Sequence, residues 1–253
     1  MEHYISFNGK SSKDFGITIS GSGTHIKPAR RVERIDIPGR NGQLTVSDGT
    51  WENVIITYPC FAFNNFLAKM DWIGAWLLAP AGYCRLEDTY HPEHFRMAEY
   101  YGGIEPTAST LNRHGKFELS FNCKPMKYLK NGFQWMYAEE DTFVNLTGFP
   151  SKPIFKISGR NGAQVLTVNG TRVKVGAYAG SSTSVTYDEI NLDCEAWEAY
   201  GTETTENMNH LVELLDERYP ELKSGYNEVT CESLNTGSDT LSGVQIMPRW
   251  WML

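Results

Sequence analysis

The sequence predicts a mainly β protein of two domains, with one helix in each. Three observations carry this. Short runs alternate apolar and polar residues. Asn-Gly pairs, the strongest short-range hairpin signal, punctuate those runs. Only two stretches repeat at helical spacing. The 253 residues suit two domains of ordinary size.

The elements follow in chain order. Residues 30–46 read "RRVERIDIPGRNGQLTV". With Asn41-Gly42 as a two-residue type I′ turn, Ile37 faces Val46, and Ile35 and Leu44 join that face. Pro38 has no N–H for a ladder, so this hairpin lies at a sheet edge or protrudes. Arg40, beside the turn, is expected in solvent. "ENVIITYPCFAF" is apolar on both faces and predicts a deeply buried strand. A helix follows from about Asn65 to Leu78. Phe66, Met70, Ile73 and Leu77 repeat along it, Asn64 or Asn65 caps it, and Pro80 stops it. "KFELSFNCK" turns Phe117, Leu119, Phe121 and Cys123 to one face and Glu118, Ser120 and Asn122 to the other. In residues 127–141 this strand gives way to a turn and an acidic run, which sets the domain break near Asn131. The domains are then 1–131 and 132–253.

The second domain opens with the same tetrapeptide, in "FKISGRNGAQVLTVNGTRVKV". A turn at Asn161-Gly162 sets Ile157 against Leu166 and Phe155 against Val168. A second turn at Asn169-Gly170 sets Leu166 against Val173, with Val175 on the same face. All six apolar residues then share one side of a three-stranded meander. "INLDCEA" alternates, with Ile190, Leu192 and Cys194 inward and Asn191, Asp193 and Glu195 outward. "ENMNHLVELLDERYP" is the second helix, carrying Leu211, Leu214 and Leu215 on one stripe and ended by Pro220. The repeated GRNG fits no phosphate loop, and its flanks diverge too quickly for a duplication; similar turns recur for similar reasons.

Composition narrows the function classes. A net charge of -7 disfavours wrapping of nucleic acid. The five cysteines, at 60, 84, 123, 194 and 231, form no CxxC and suit a reducing compartment. No secretion signal is read at the N-terminus. "WIGAWLLAPAG" is too short to span a bilayer and is broken by Pro80, so no membrane insertion is expected.

Chemistry is sought without success. His91 and His94 in "HPEH" have metal-like spacing, but Pro92 opposes a helix and no third ligand lies nearby; a loop or strand end with two solvated histidines is expected. The pair Asp188-Glu189 and the run Glu139 to Asp141 are adjacent carboxylates, which point to opposite faces of a strand and cannot oppose each other across a cleft. No GxSxG elbow occurs. No catalytic, cofactor or metal residue is assigned. Of Trp250 and Trp251, one ring is expected to seal the core and the other to offer a contact.

The ordered motifs "FNGKSSKDFGITI", "RRVERIDIPGRNGQLTVSDGTWENVIITYPC", one helix and "KFELSFNCKP" resemble the distal tail proteins (Dit) of siphophages infecting Gram-positive bacteria. In the second half "PIFKISGRNG", "INLDCEAWEAY", "YPELKSGYNEV" and "MPRWW" are similar too. The resemblance implies a tail-tube-like N-terminal domain, a β-sandwich or barrel with one helix, that builds a homo-hexameric ring, and a projecting galectin-like C-terminal β-sandwich with one short helix. It implies a structural virion protein at the tail tip, synthesised in the host cytoplasm, and no enzyme. The ring joins the tail tube to the tail-associated lysin or fibre protein, with receptor-binding proteins at its rim and DNA only as passing cargo. Pro38, Arg40, Asn41 and Trp251 are the interface candidates. The chain has no room for an inserted carbohydrate-binding module. The alternative reading is a carbohydrate-binding module for host cell-wall glycans, using an exposed ring of the second domain.

Overall fold

A computed structural model describes residues 2–21, 25–63, 66–104, 107–108, 114–138, 143–238 and 240–253. Two compact units emerge, Met1–Lys127 with Leu253, and Tyr128–Met252. The first carries β1 (Ile5–Phe7), β2 (Lys10–Ser11), β3 (Ile17–Ile19), β4 (Arg30–Asp36), β5 (Gln43–Trp51), β6 (Val54–Phe63), α1 (Met70–Leu78), β7 (Cys84–Asp88), β8 (His94–Tyr100), β9 (Thr107–Ala108) and β10 (His114–Leu129). The second carries β11 (Met136–Tyr137), β12 (Val144–Asn145), β13 (Ile154–Ser158), β14 (Gln164–Val168), β15 (Thr171–Val175), β16 (Glu189–Asp193), β17 (Glu198–Tyr200), β18 (Val212–Leu214), β19 (Gly225–Tyr226), β20 (Val229–Ser233), β21 (Val244–Met247) and β22 (Trp251–Met252).

In the first unit a sheet runs in the order β2-β1-β7-β8-β10-β6-β3. The alternation of "KFELSFNCK" is realised: Phe117, Leu119, Phe121 and Cys123 are buried, and Phe117, Leu119 and Phe121 oppose Cys60, Tyr58 and Ile56. The β6 partner differs from expectation. Its burial alternates, and Ile55 and Phe61 lie exposed on the second face. An apolar residue on both faces is therefore not a core strand here but a strand with one uncovered apolar face. The helix covers the sheet with Ile73, Trp76 and Leu77. Trp76 Nε1 donates to the Phe7 carbonyl at 3.0 Å and its ring stacks on Phe15. The helix starts later than expected, because Phe66–Lys69 is a 3-10 turn; Asn64 and Asn65 lie outside the described residues.

The second unit has two large sheets, β11-β21-β13-β16-β17 and β18-β15-β14-β20, and a two-stranded pairing of β12 with β19. Phe155, Ile157, Ile190, Leu192, Val244 and Ile246 of one sheet and Leu166, Val168, Val173, Val175 and Cys231 of the other form one buried cluster. The sheets therefore pack face to face.

Three sequence expectations fail in this unit. The Asn161-Gly162 hairpin does not form. β13 pairs with β16 and β21, and β14 pairs with β15 and β20. Gly159–Asn161 makes a 3-10 turn that carries the chain from one sheet to the other. Ile157 and Leu166 share the core as members of opposite sheets. The Asn169-Gly170 turn does form, with φ of 50° and 83° and Leu166 opposite Val173. The second helix is absent among the described residues. Asn209–Leu211 is a 3-10 turn, and Val212–Leu214 is β18, paired with Val173–Val175 of β15. The Asn209 side chain accepts from Ala199 N at 2.6 Å, and Asp216 accepts from Arg172 N at 2.7 Å; these tertiary bonds override a weak helical periodicity. Finally, Asn191 and Asp193 of "INLDCEA" are buried, not solvated. Asn191 Nδ2 donates to the Gly201 carbonyl at 2.8 Å, and Asp193 pairs with Arg249.

Candidate assembly surface

The β4–β5 hairpin forms a sheet of its own. Its tip is not built as the Asn-Gly motif suggests. Arg40 N donates to the Ile37 carbonyl at 3.1 Å, and Gly39 sits at φ 81°. Proline followed by a positive-φ glycine is the chemistry of a type II turn, so Pro38-Gly39 outcompetes Asn41-Gly42. Ile35 then opposes Leu44, and Glu33 opposes Val46. The register differs by four residues from the expected pairing of Ile37 with Val46. An even shift keeps every residue on its face. Ile35, Leu44 and Val46 thus still share one side, and Ile37 follows at the tip.

This side is uncovered. Ile35, Ile37, Leu44 and Val46 are between 36% and 47% exposed. The base is better fixed: the Arg30 guanidinium lies 4.7 Å from the Trp51 ring centroid, and the register shifts between Arg30 and Val32. A two-stranded ribbon is marginal in water without a layer on its apolar face. Contiguous exposed apolar residues on such a ribbon make it a candidate contact surface. The alternation of Ile35, Leu44 and Val46 was the signal for this face; only the absence of a covering layer was illegible.

The expected contact residues separate. Pro38, Arg40 and Asn41 are all exposed at the hairpin tip. Trp251 is half-buried in its own unit, stacked 4.5 Å from Phe149 and donating Nε1 to the Pro150 carbonyl at 2.9 Å. Trp250 packs against the core of the second unit.

The histidine motif differs from the solvated pair expected. His91 Nδ1 lies 3.1 Å from Asp88, and His94 Nε2 is buried without a partner. Burial, with Lys127 and His91 nearby, lowers the His94 pKa. Among the described residues no three of His, Cys, Asp or Glu converge as metal ligands. Glu139 to Asp141 lie outside the described residues. Glu189 pairs with Lys156 at 3.6 Å. Burial pushes the Cys60 and Cys123 thiols up to about 12, which leaves neither ionised at neutral pH.

No family model matches the chain, and no curated protein matches it in sequence. Solved structures do. The crystal structure of phage SPP1 Dit (gp 19.1), described as a paradigm of hub adsorption apparatus in phages infecting Gram-positive bacteria, superposes with a TM-score of 0.71 at 11% identity, covering 97% of this chain and 98% of that one. The chain has a Dit-like fold. The baseplate of phage p2 in its activated conformation with Sr contains a chain that matches at a TM-score of 0.53 and 10% identity, over 97% of this chain and 96% of that one. Its form with Ca matches at 0.52. The Dit-like fold thus extends over both units, at a sequence identity of only 10–11%. The similarity lives in strand order and burial pattern, which many side-chain choices satisfy.

Proposed function

We propose that the chain is a structural hub protein of a phage tail tip, assembling as a homo-hexameric ring. The observation that carries this reading is the likeness to a hub protein along nearly the whole length of both chains. The hairpin supports it from within the chain. Its apolar face has no layer of its own, and complete burial of one such side chain is worth about 1.5–3 kcal/mol. A contact repeated around a ring makes that gain at every junction. The first unit builds the ring through this face, with Pro38, Arg40 and Asn41 at its rim.

On this reading the ring links the tail tube to the tail-associated lysin or fibre protein, with receptor-binding proteins docked at the edge. DNA passes through without being held, in keeping with the net charge of -7. The work is mechanical and the protein is not an enzyme. The second unit is the projecting, galectin-like domain, and the protein resides in the virion tail tip after synthesis in the host cytoplasm. Electron microscopy of the purified full chain tests this. Sixfold rings are expected; a field of isolated particles of single-chain size at high concentration contradicts it.

A further inference from the structure

The second unit carries a cleft of about 570 Å³, inside the range of roughly 300–1,000 Å³ typical of small-molecule sites. The Trp197 ring stands at its wall, 66% exposed. Its backbone is at φ 61°, a conformation that costs a bulky residue about 1–2 kcal/mol. Glu217 and Asn169, also in the wall, have φ of 55° and 50°. Asn169 belongs to a tight turn that needs this conformation; Trp197 and Glu217 are ill suited to it. Strain of this kind persists where surrounding structure enforces it, and it gathers at binding sites.

The enforcement is visible. Asp193 accepts backbone N–H bonds from Glu195 and Ala196 at 2.9 and 3.0 Å, and Trp197 N donates to the Asp193 carbonyl at 3.0 Å. Arg249 grips the same carboxylate. The ring is therefore presented on a locked turn, with Lys152 Nζ 5.7 Å from its centroid. On the other wall, Asn169 Nδ2 donates to the Glu221 carbonyl and to Asn227 Oδ1, which fixes that loop.

We propose that this cleft binds an uncharged oligosaccharide, with Trp197 as the stacking platform. The lining argues the ligand class. An apolar ligand would strand the charged groups of Lys152, Glu217, Arg218, Glu221 and Lys223 against it. An anion would meet two carboxylates, and a cation would meet three basic side chains. A sugar hydroxyl both donates and accepts, so it satisfies acids and bases alike. A flat sugar face presents C–H groups to the negative face of an indole. The site does not depend on ring assembly.

The test is an array of neutral and acidic glycans probed with the full chain and with Trp197→Gly, followed by calorimetry on the neutral oligosaccharide that binds most strongly. Glycine accepts the positive φ, so this variant removes ring and strain together and its thermal midpoint is expected to hold or rise. Affinity is expected to fall at least tenfold. Trp135→Ala, which removes a ring of the same unit outside the cleft, is expected to leave binding unchanged. Absence of binding to every neutral oligosaccharide overturns the proposal. So does capture of acidic glycans alone, or equal affinity in Trp197→Gly.

Discussion

Asp193 and Arg249 meet in a two-pronged ion pair, with both nitrogen–oxygen contacts at 2.7 Å. The pair closes the turn that follows β16. It also ties the approach to β22, because Arg249 N donates to the Gly132 carbonyl at 2.7 Å. Removing Arg249 leaves the Asp193 carboxylate buried without its cation. We expect Arg249→Met to cost about 2–3 kcal/mol, below the roughly 3–5 kcal/mol of a fully buried pair because some solvent reaches this one. Urea unfolding of the second unit reads the change; a loss under about 0.5 kcal/mol would show that the pair is ornamental.

The same pair sets an acid limit. Burial pulls the Asp193 carboxyl up, but the Arg249 guanidinium and the Ala196 and Glu195 N–H groups outweigh it and hold the pKa below the usual 3.8. A depressed carboxylate stabilises the fold above its unfolded value. That contribution is lost as pH falls through the lowered folded value. Wild type should therefore lose more stability between pH 5 and acid conditions near pH 2 than Asp193→Asn does. Parallel pH profiles for the two proteins would refute the assignment.

Gly159 distinguishes an arch from a hairpin. A Cβ there would lie 1.8 Å from the Tyr187 carbonyl oxygen. Backbone cannot yield that far, so Gly159→Ala is expected to cost about 4 kcal/mol or more. Gly170→Ala, at φ 83° with open space around it, should cost about 1–2 kcal/mol. A hairpin turning at Asn161-Gly162 would tolerate the first change, so similar thermal midpoints for the two variants would restore the hairpin.

The tip of the β4–β5 hairpin answers a parallel question. Gly39 is at φ 81° with open space where a Cβ would stand, and Asn41 has no positive φ. Gly39→Ala should loosen the ribbon by about 1–2 kcal/mol, seen as faster amide exchange in β4 and β5. Asn41→Ala should leave exchange unchanged. The reverse pattern would place the turn at Asn41-Gly42.

Charge on the apolar face should separate subunits without unfolding them. Leu44 is 42% exposed, so Leu44→Glu strands no buried charge within one chain. We expect an unchanged thermal midpoint and a loss of self-association by light scattering. Unaltered association would move the contact elsewhere.

The sequence was most legible where alternation and burial coincide. The inward set of β10 was readable residue by residue, because a period of two leaves no choice of face. Partnership was less legible. Phe155, Ile157, Leu166 and Val168 all belong to the core, yet a hairpin and an arch bury the same residues and differ only in which backbone each strand meets. Pro38-Gly39 is as local a turn signal as Asn41-Gly42, and it is the one the hairpin uses. Residues 211–215 misled because Leu211, Leu214 and Leu215 ahead of Pro220 fit a helix, while Val212–Leu214 is a short strand whose neighbours are fixed by bonds from Ala199 and Arg172, far along the chain. The Trp197 cleft had no local signature; its walls come from residues 152 to 223.

On the proposed function, copies of this chain close into a sixfold ring. Native mass measurement of the purified full chain addresses it most directly. A dominant species of six times the chain mass, collapsing to one chain in Leu44→Glu, is the expected result. A strict monomer across concentrations up to the solubility limit would contradict it.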